Sequence, residues 1–217
     1  MGTIEINTSS KIITIVSNII CYGNAADYDI AQLIAAEIET MWNEPDAVVE
    51  FNNTSFFVRF EITAQYNSWL QPQTVTENVN PKNNYFRIEE YSKKDISYVD
   101  GIGSNTGYFK LANLYKGSTT AAHEYGHSLG LLHPTELNII GKGRPGIMYP
   151  RGSLVDQEFQ NDITAQPAGP GGTLNPQSRK VTQVDIDNLQ LNKLIERGIF
   201  VVGKLTNRYH EAHVKEG

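Results

Sequence analysis

The spacing of apolar side chains divides the chain into segments with different rhythms. Residues 11–22 (KIITIVSNIICY) are dense in Ile and Val without strict alternation, which predicts a strand covered on both faces and lying inside a sheet. Between Asp27 and Trp42 the apolar residues Ile30, Leu33, Ile34, Ile38 and Met41 recur at helical spacing, with Asp27 placed to cap the start and Pro45 just past the end. Residues 47–51 and 55–63 are aromatic and β-branched runs joined by Asn52-Asn53-Thr54, a hairpin pattern. Further strands are predicted near residues 85–90 and 96–99. The stretch 101–107 (GIGSNTG) is a turn-rich loop with neither a Walker lysine nor a full dinucleotide fingerprint, and Tyr108-Phe109-Lys110-Leu111 after it reads as an edge strand. A helix follows over 118–129, capped by Ser118 or Thr119 and ended by Gly130 in a left-handed conformation. Residues 151–179, rich in Pro, Gly, Gln and Asn, predict a long irregular loop. One last helix is expected over 182–197, with Thr182 as cap, Asp185 at its third position, Val181 stapled onto Ile186, and Gly198 closing it. No internal repeat is visible.

Composition narrows the class. A chain of 217 residues fits one domain, or two small lobes sharing a cleft. With 40% hydrophobic and 19% charged residues it should bury a core rather than remain disordered. No apolar run approaches the roughly 18 to 20 residues a membrane helix needs. The net charge of −6 and absence of a basic run argue against a nucleic-acid partner. Cys21 is the only cysteine, so an intrachain disulfide and a cysteine-rich zinc module are both excluded. It reads as a buried, inert thiol. Residues 1–11 lack the charged start and apolar middle of a secretory signal, which leaves export open.

The chemistry concentrates on the helix over 118–129. His123-Glu124-Tyr125-Gly126-His127 places two imidazoles four residues apart on one helix face, where both can reach one metal ion. Glu124, about 100° around the axis, is placed to act on a water at that metal as general base. His133 lies six residues beyond His127, and Gly130 lets the chain leave the helix so that His133 can swing back as third ligand. Three neutral imidazoles with one open position form a catalytic zinc arrangement, suited to amide hydrolysis. A downstream Glu136 or Glu158 as third ligand is a weaker alternative. The remaining histidines, His210 and His213, sit in a polar terminal stretch that reads as a solvated tail, with a second metal site as the rival reading.

The run HEYGHSLGLLH, followed by Gly146-Ile147-Met148-Tyr149-Pro150, resembles the zinc-binding motif and Met-turn of the metzincin metallopeptidases. Within that clan the chain is most similar to the matrix metalloproteinase-like branch, whose C-terminal helix the segment VTQVDIDNLQ (181–190) also resembles. The resemblance is specific over 118–150 and 181–198 and architectural over 11–111. It implies an α/β (α+β) zincin fold: a twisted mixed sheet with an antiparallel edge strand, two long helices, and a small C-terminal lobe with a Met-turn and a final helix. It makes His123, His127 and His133 the zinc ligands, Glu124 the catalytic base that later gives its proton to the leaving amine, and Met148 a floor that performs no chemistry. Pro150 stands where some metzincins carry a ligating Tyr, which favours a three-histidine site with water. Extended substrate would pair with an edge strand placed at Gly107 to Leu111, with Gly107, Tyr108, Phe109 and Tyr149 as substrate-binding residues. Asp156, Glu158 and Asp162 could hold structural calcium, as is common in the clan, although solvated loop charges are favoured. The segment after Pro150 does not match the branch's specificity-pocket wall.

The expectation is therefore a single catalytic domain over 1–217, with residues 1–130 as N-terminal lobe and 131–217 as C-terminal lobe. It would be a monomeric zinc endopeptidase acting on protein or peptide substrates, secreted or delivered outside the producing cell. An inactive, zinc-containing protein-binding module of the same fold is the alternative.

Overall fold

The Ile- and Val-rich run is the strand on which the sheet is built. In the computed structural model, which describes residues 1–167 and 169–215, β1 (Gly2–Asn7) runs antiparallel to the first half of β2 (Ile12–Tyr22). After α1 (Tyr28–Asn43) come β3 (Val48–Phe51) and β4 (Thr54–Tyr66), and β4 pairs in parallel along the whole of the other β2 edge. Beyond α2 (Pro72–Thr76), β5 (Asn83–Glu89) takes up the second half of β2, in parallel, where β1 ends. β6 (Tyr98–Val99) and β7 (Thr106–Lys110) complete the order β3-β4-β2-β5-β7-β6, with β7 parallel to β5 and β6 antiparallel to β7. The result is a curled, mixed sheet in a mixed α/β fold. Both faces of β2 are covered, as its unbroken apolar pattern requires. Ile13, Ile15, Ile19 and Cys21 join the main core, whereas Ile20 and Tyr22 pack with Leu70, Val75 and Tyr85 on the other side.

The edge strand expected at 107–111 is an interior strand. β7 is flanked by β5 and β6, with Tyr108 and Phe109 fully buried, and the antiparallel edge is β6. Adjacent aromatics point to opposite faces of a strand. Here both faces are occupied, because Phe109 stacks on Phe86 at 4.5 Å while Tyr108 receives the ring of His213 at 3.9 Å.

Helix α1 lies against the sheet through Ala31, Ile34, Ala35, Ile38 and Trp42, and Asp27 caps it by accepting the Ile30 N–H at 2.7 Å. The β3–β4 turn is made by Asn52 and Asn53 with φ of 49° and 56°, the left-handed pair that suits a tight hairpin. Helix α3 (Thr120–Ser128) is shorter than the expected 118–129 span, and locally it is met by Ser118, one of the two expected caps, whose Oγ accepts the Thr120 N–H at 3.3 Å. Thr119 at its N-cap position has φ of 56°, and its hydroxyl donates to the Pro176 carbonyl at 2.8 Å instead. Glu37 of α1 takes over, its Oε1 accepting the Ala121 and Ala122 N–H groups at 3.0 and 3.3 Å. Trp42 Nε1 donates to the Ala122 carbonyl at 3.1 Å beside it. Thus α1 both packs against and caps the helix that carries the histidines.

The C-terminal part departs from expectation in two places. Residues 182–197 form two helices, α4 (Gln183–Asn188) and α5 (Leu191–Glu196), broken where Gln190 takes φ of 53°. In one continuous helix Leu191 would point about 140° away from Ile186. The break lets Ile186, Leu189, Leu191 and Ile195 all bury. Asp185 accepts the Thr182 backbone N–H at 2.8 Å, as the capping pattern predicts. After β8 (Val201–Val202), the segment expected to be solvated is docked across the sheet. His210 donates its N–H to Tyr22 Oη at 3.0 Å, gives its carbonyl to Arg87 Nη1 at 2.8 Å, and sets Nε2 2.8 Å from Asp100. Residues 151–179 do carry little regular structure, yet Leu174 and Val155 pack with Ile139 into a small core of their own. Among the described residues, no helix is long and apolar enough to cross a membrane.

Glu37→Ala removes the distant cap of α3 and leaves two buried N–H donors unmet. Stability should fall by about 1–3 kcal/mol, read as a lower urea midpoint with unchanged m-value.

Candidate metal centre

The three predicted histidines converge. Helix α3 presents His123 and His127 one turn apart, only 7% and 8% exposed, while His133 reaches them from an exposed position in the following loop. Their donor nitrogens all lie within 4.8 Å of one another, and His133 Nε2 stands 3.1 Å from His123 Nε2 and 3.0 Å from His127 Nε2. Among the described residues this is the one group of three or more His, Cys, Asp or Glu side chains that could hold a metal ion.

The far edges of the rings explain the convergence. His123 Nδ1 lies 2.7 Å from the Ile147 carbonyl, and His127 Nδ1 lies 2.8 Å from the Leu131 carbonyl. A carbonyl only accepts, so each Nδ1 carries the proton and each Nε2 presents its lone pair to the common point. Gly130, with φ of +105°, reverses the chain after α3 and brings the Leu131 carbonyl back over His127. His133 follows two residues later.

The intervening positions of the motif face inward. Tyr125 is fully buried, its hydroxyl 2.7 Å from Ser17 Oγ on β2 and its ring edge-on to Trp42 at 5.9 Å. A Cβ on Gly126 would lie 2.3 Å from Met148 Sδ and 3.2 Å from Trp42, so Met148 packs directly against the bare helix backbone. The neighbouring residue Ile147 supplies the carbonyl for His123. The turn at 146–149, where the Tyr149 N–H donates to the Gly146 carbonyl at 3.2 Å, therefore supports the helix and orients a histidine together.

Glu124 is 8% exposed and lines a cleft of about 450 Å³ with His123, His127, His133 and residues 96–99 and 101–102 of the β6 region. Burial pushes its carboxyl up to about 8, against the opposing influence of the Val99 backbone N–H and Arg179. Burial lowers all three imidazoles below their ordinary value, His123 furthest, with Arg179 adding to the effect. The site thus holds neutral imidazoles beside a carboxyl that favours its protonated form.

Other expected site residues fall elsewhere. Gly107, Tyr108 and Phe109 are buried inside the sheet, and the strand bordering the cleft is β6. Tyr149 is half-buried and lines a second cavity of about 560 Å³ with His133, Met148 and α4 residues. Asp156 and Asp162 turn away into local turns, accepting from Gly141 N–H at 2.7 Å and Thr164 N–H at 2.9 Å, and do not gather with Glu158 into a calcium cage. Glu136 likewise accepts the Asn138 N–H at 2.8 Å and is outside the histidine group. Sequence spacing gave no sign of Glu37 or Arg179, whereas a glycine inside a helical pattern does signal the close approach found at Gly126.

Compared with known proteins, the chain matches no protein-family model and no curated sequence.

Gly126→Ala should lower stability by about 1–2 kcal/mol despite the better helix propensity of alanine, because Met148 and Trp42 must move. Chemical denaturation measures it, and a stability gain would contradict the packing described. In chelator, Glu124→Gln should raise the melting temperature at pH 8 and change it little near pH 5. Between about 4.5 and 8 the folded state keeps a proton that the unfolded chain has released, so wild-type stability falls as pH rises through that window. The depressed imidazoles act oppositely, taking up protons only on unfolding, so stability of both proteins falls below about pH 6.5.

Proposed function

We propose that this protein is a zinc-dependent endopeptidase of the metzincin kind, with His123, His127 and His133 as metal ligands and Glu124 as general base. The observation that carries the reading is the convergence of three histidine nitrogens beside the buried Glu124 carboxyl in a cleft bordered by an edge strand. The donor set fits zinc. Tetrahedral nitrogen ligands at about 2.0–2.1 Å lie about 3.3 Å apart, close to the 3.0 and 3.1 Å separations of His133 from its partners. Neutral imidazoles, kept so by burial, are the protonation state that a metal requires.

Zinc bound there supplies Lewis acidity that polarises a scissile carbonyl and strengthens water as an acid. The remaining work falls to the chain itself. Glu124, one residue from His123, takes the proton of the attacking water and delivers it to the departing amine nitrogen. Its position in the cleft beside the three histidines lets one carboxylate serve both transfers. The outer edge of β6 leaves backbone groups without strand partners, which an extended peptide can meet by strand addition. Ile147 and Leu131 hold the rings of His123 and His127 through their carbonyls, so these two are oriented before any metal arrives.

The test is zinc content together with casein cleavage, for the parent and for Glu124→Ala. One zinc per chain in both, with cleavage by the parent and a loss of at least about 100-fold in the variant, is expected. If both bind zinc and neither cleaves a broad peptide library, the protein-binding module is the correct reading. A folded protein that takes up no zinc would remove the basis for both.

A further inference from the structure

A third cavity, of about 250 Å³, adjoins the cleft at His123, Glu124 and His133 and extends to Thr120, Arg151 and Arg179. Arg179 is 4% exposed, yet among the described residues no carboxylate oxygen lies within 4.0 Å of its guanidinium. Its two hydrogen bonds go to neutral groups, Nε to Thr119 Oγ1 at 2.9 Å and Nη1 to the Tyr149 carbonyl at 3.2 Å. A buried cation without a paired anion is unfavourable unless something else meets the charge. Arg151 at the exposed rim adds a second guanidinium, and among the described residues it makes no hydrogen bond or ion pair. Of the acidic residues nearby, Asp95 is paired with Lys110 and Glu37 caps α3, while Glu124 lines the same cavity and is the largest charge influence on Arg179 without forming an ion pair with it. In a chain of net charge −6, two arginines facing one small cavity form a local exception that attracts an anion.

We propose that this cavity is a subsite for a carboxylate of the substrate, either an acidic side chain close to the scissile bond or a free C-terminal carboxylate, clamped between Arg179 and Arg151. The proposal rests on the peptidase reading for its substrate. The guanidiniums match the group chemically, since each offers paired N–H donors in the plane of a carboxylate's oxygens. The two contacts of Arg179 to Thr119 and Tyr149 fix the fork, so little side-chain freedom is lost on binding.

The test uses zinc-loaded Glu124→Gln, which binds peptides without turning them over, and titrates hexapeptides that carry Glu or Gln at each position in turn, each as free acid and as C-terminal amide. Tighter binding by about tenfold or more is expected for one placement of the acid, a gain typical of one charge-assisted hydrogen-bonded pair. Preference for Glu over Gln in amidated peptides identifies a side-chain carboxylate, and preference for free acid over amide identifies a chain terminus. Either preference should collapse towards unity when Arg151→Gln or Arg179→Met is added. Arg151→Gln, at an exposed position, keeps the test decisive if loss of the Thr119 and Tyr149 contacts prevents Arg179→Met from folding. Equal binding of all peptides, no binding, or a preference that survives in the folded arginine variants overturns the proposal. Cleavage of casein and of the preferred peptide by the zinc-loaded parent is read separately. Acid-dependent binding without any cleavage would leave the carboxylate pocket standing and sink the peptidase reading.

Discussion

Imidazole lone pairs can meet at one point only if the rings are oriented for it, and much of the structure around α3 follows from holding two of the three, His123 and His127, from behind. The rear N–H groups of His123 and His127 are spoken for by the carbonyls of Ile147 and Leu131. Those carbonyls come from opposite directions, one from the turn beneath the helix and one from the chain that has just left it. A ring without such a partner could rotate or present its other nitrogen. Gly130 follows from the second contact, since the reversal that returns Leu131 over His127 needs a left-handed residue. The first contact requires the turn at 146–149 to lie close under the helix. Gly126 permits this, because Met148 occupies the space a side chain would need.

That short helix cannot hold itself in place. Nine residues give barely more than two turns, and isolated helices of that length are unstable in water. Its position is set by contacts between residues distant in sequence: Tyr125 to Ser17 on β2, Trp42 to the Ala122 carbonyl, and Glu37 to the Ala121 and Ala122 N–H groups. Two of these come from α1, whose apolar stripe fixes its own place on the sheet. The geometry of the histidine group thus depends on packing between α1, β2 and α3. This arrangement also explains why one segment serves two ends, with His123, Glu124 and His127 lining the cleft and Tyr125 and Gly126 buried against the core.

What the sequence makes legible is what local spacing encodes. The covered strand at 12–22, helix α1 with its Asp27 cap, the Asn-Asn hairpin and the histidine spacing all depend on residues within about ten positions of one another. What it hides depends on partners far along the chain. Tyr108-Phe109 reads equally well as an edge or an interior strand, and only the arrival of β6 on one side and the 203–215 tail on the ring of Tyr108 decides it. The polar terminal stretch with His210 and His213 looks solvated until Tyr22, Arg87 and Asp100 are seen to meet it, at separations of 110 to 188 residues. The continuous helical pattern over 182–197 is broken because four apolar side chains on two faces must enter one core. Glu37 and Arg179 carry no local signal at all, since a charged residue in a helix or loop ordinarily faces water.

Those two hidden residues place opposite charges beside the same helix. Glu37 sits at the N-terminus of α3, where buried N–H groups without intrahelical partners and the helix dipole favour an anion. Arg179 hydrogen-bonds the hydroxyl of Thr119 at that same end. Because Arg179 lies near Glu124 and the imidazoles alike, it opposes the burial effect on the carboxyl and reinforces it on the rings. Burial remains the main cause of both shifts, and this one cation adds to it on the rings and works against it on the carboxyl. A hydrophobic residue at 179 could fill the volume but could not act on both groups. The buried guanidinium is thus accounted for by the electrostatics of the site as well as by the contacts it makes to Thr119 and Tyr149.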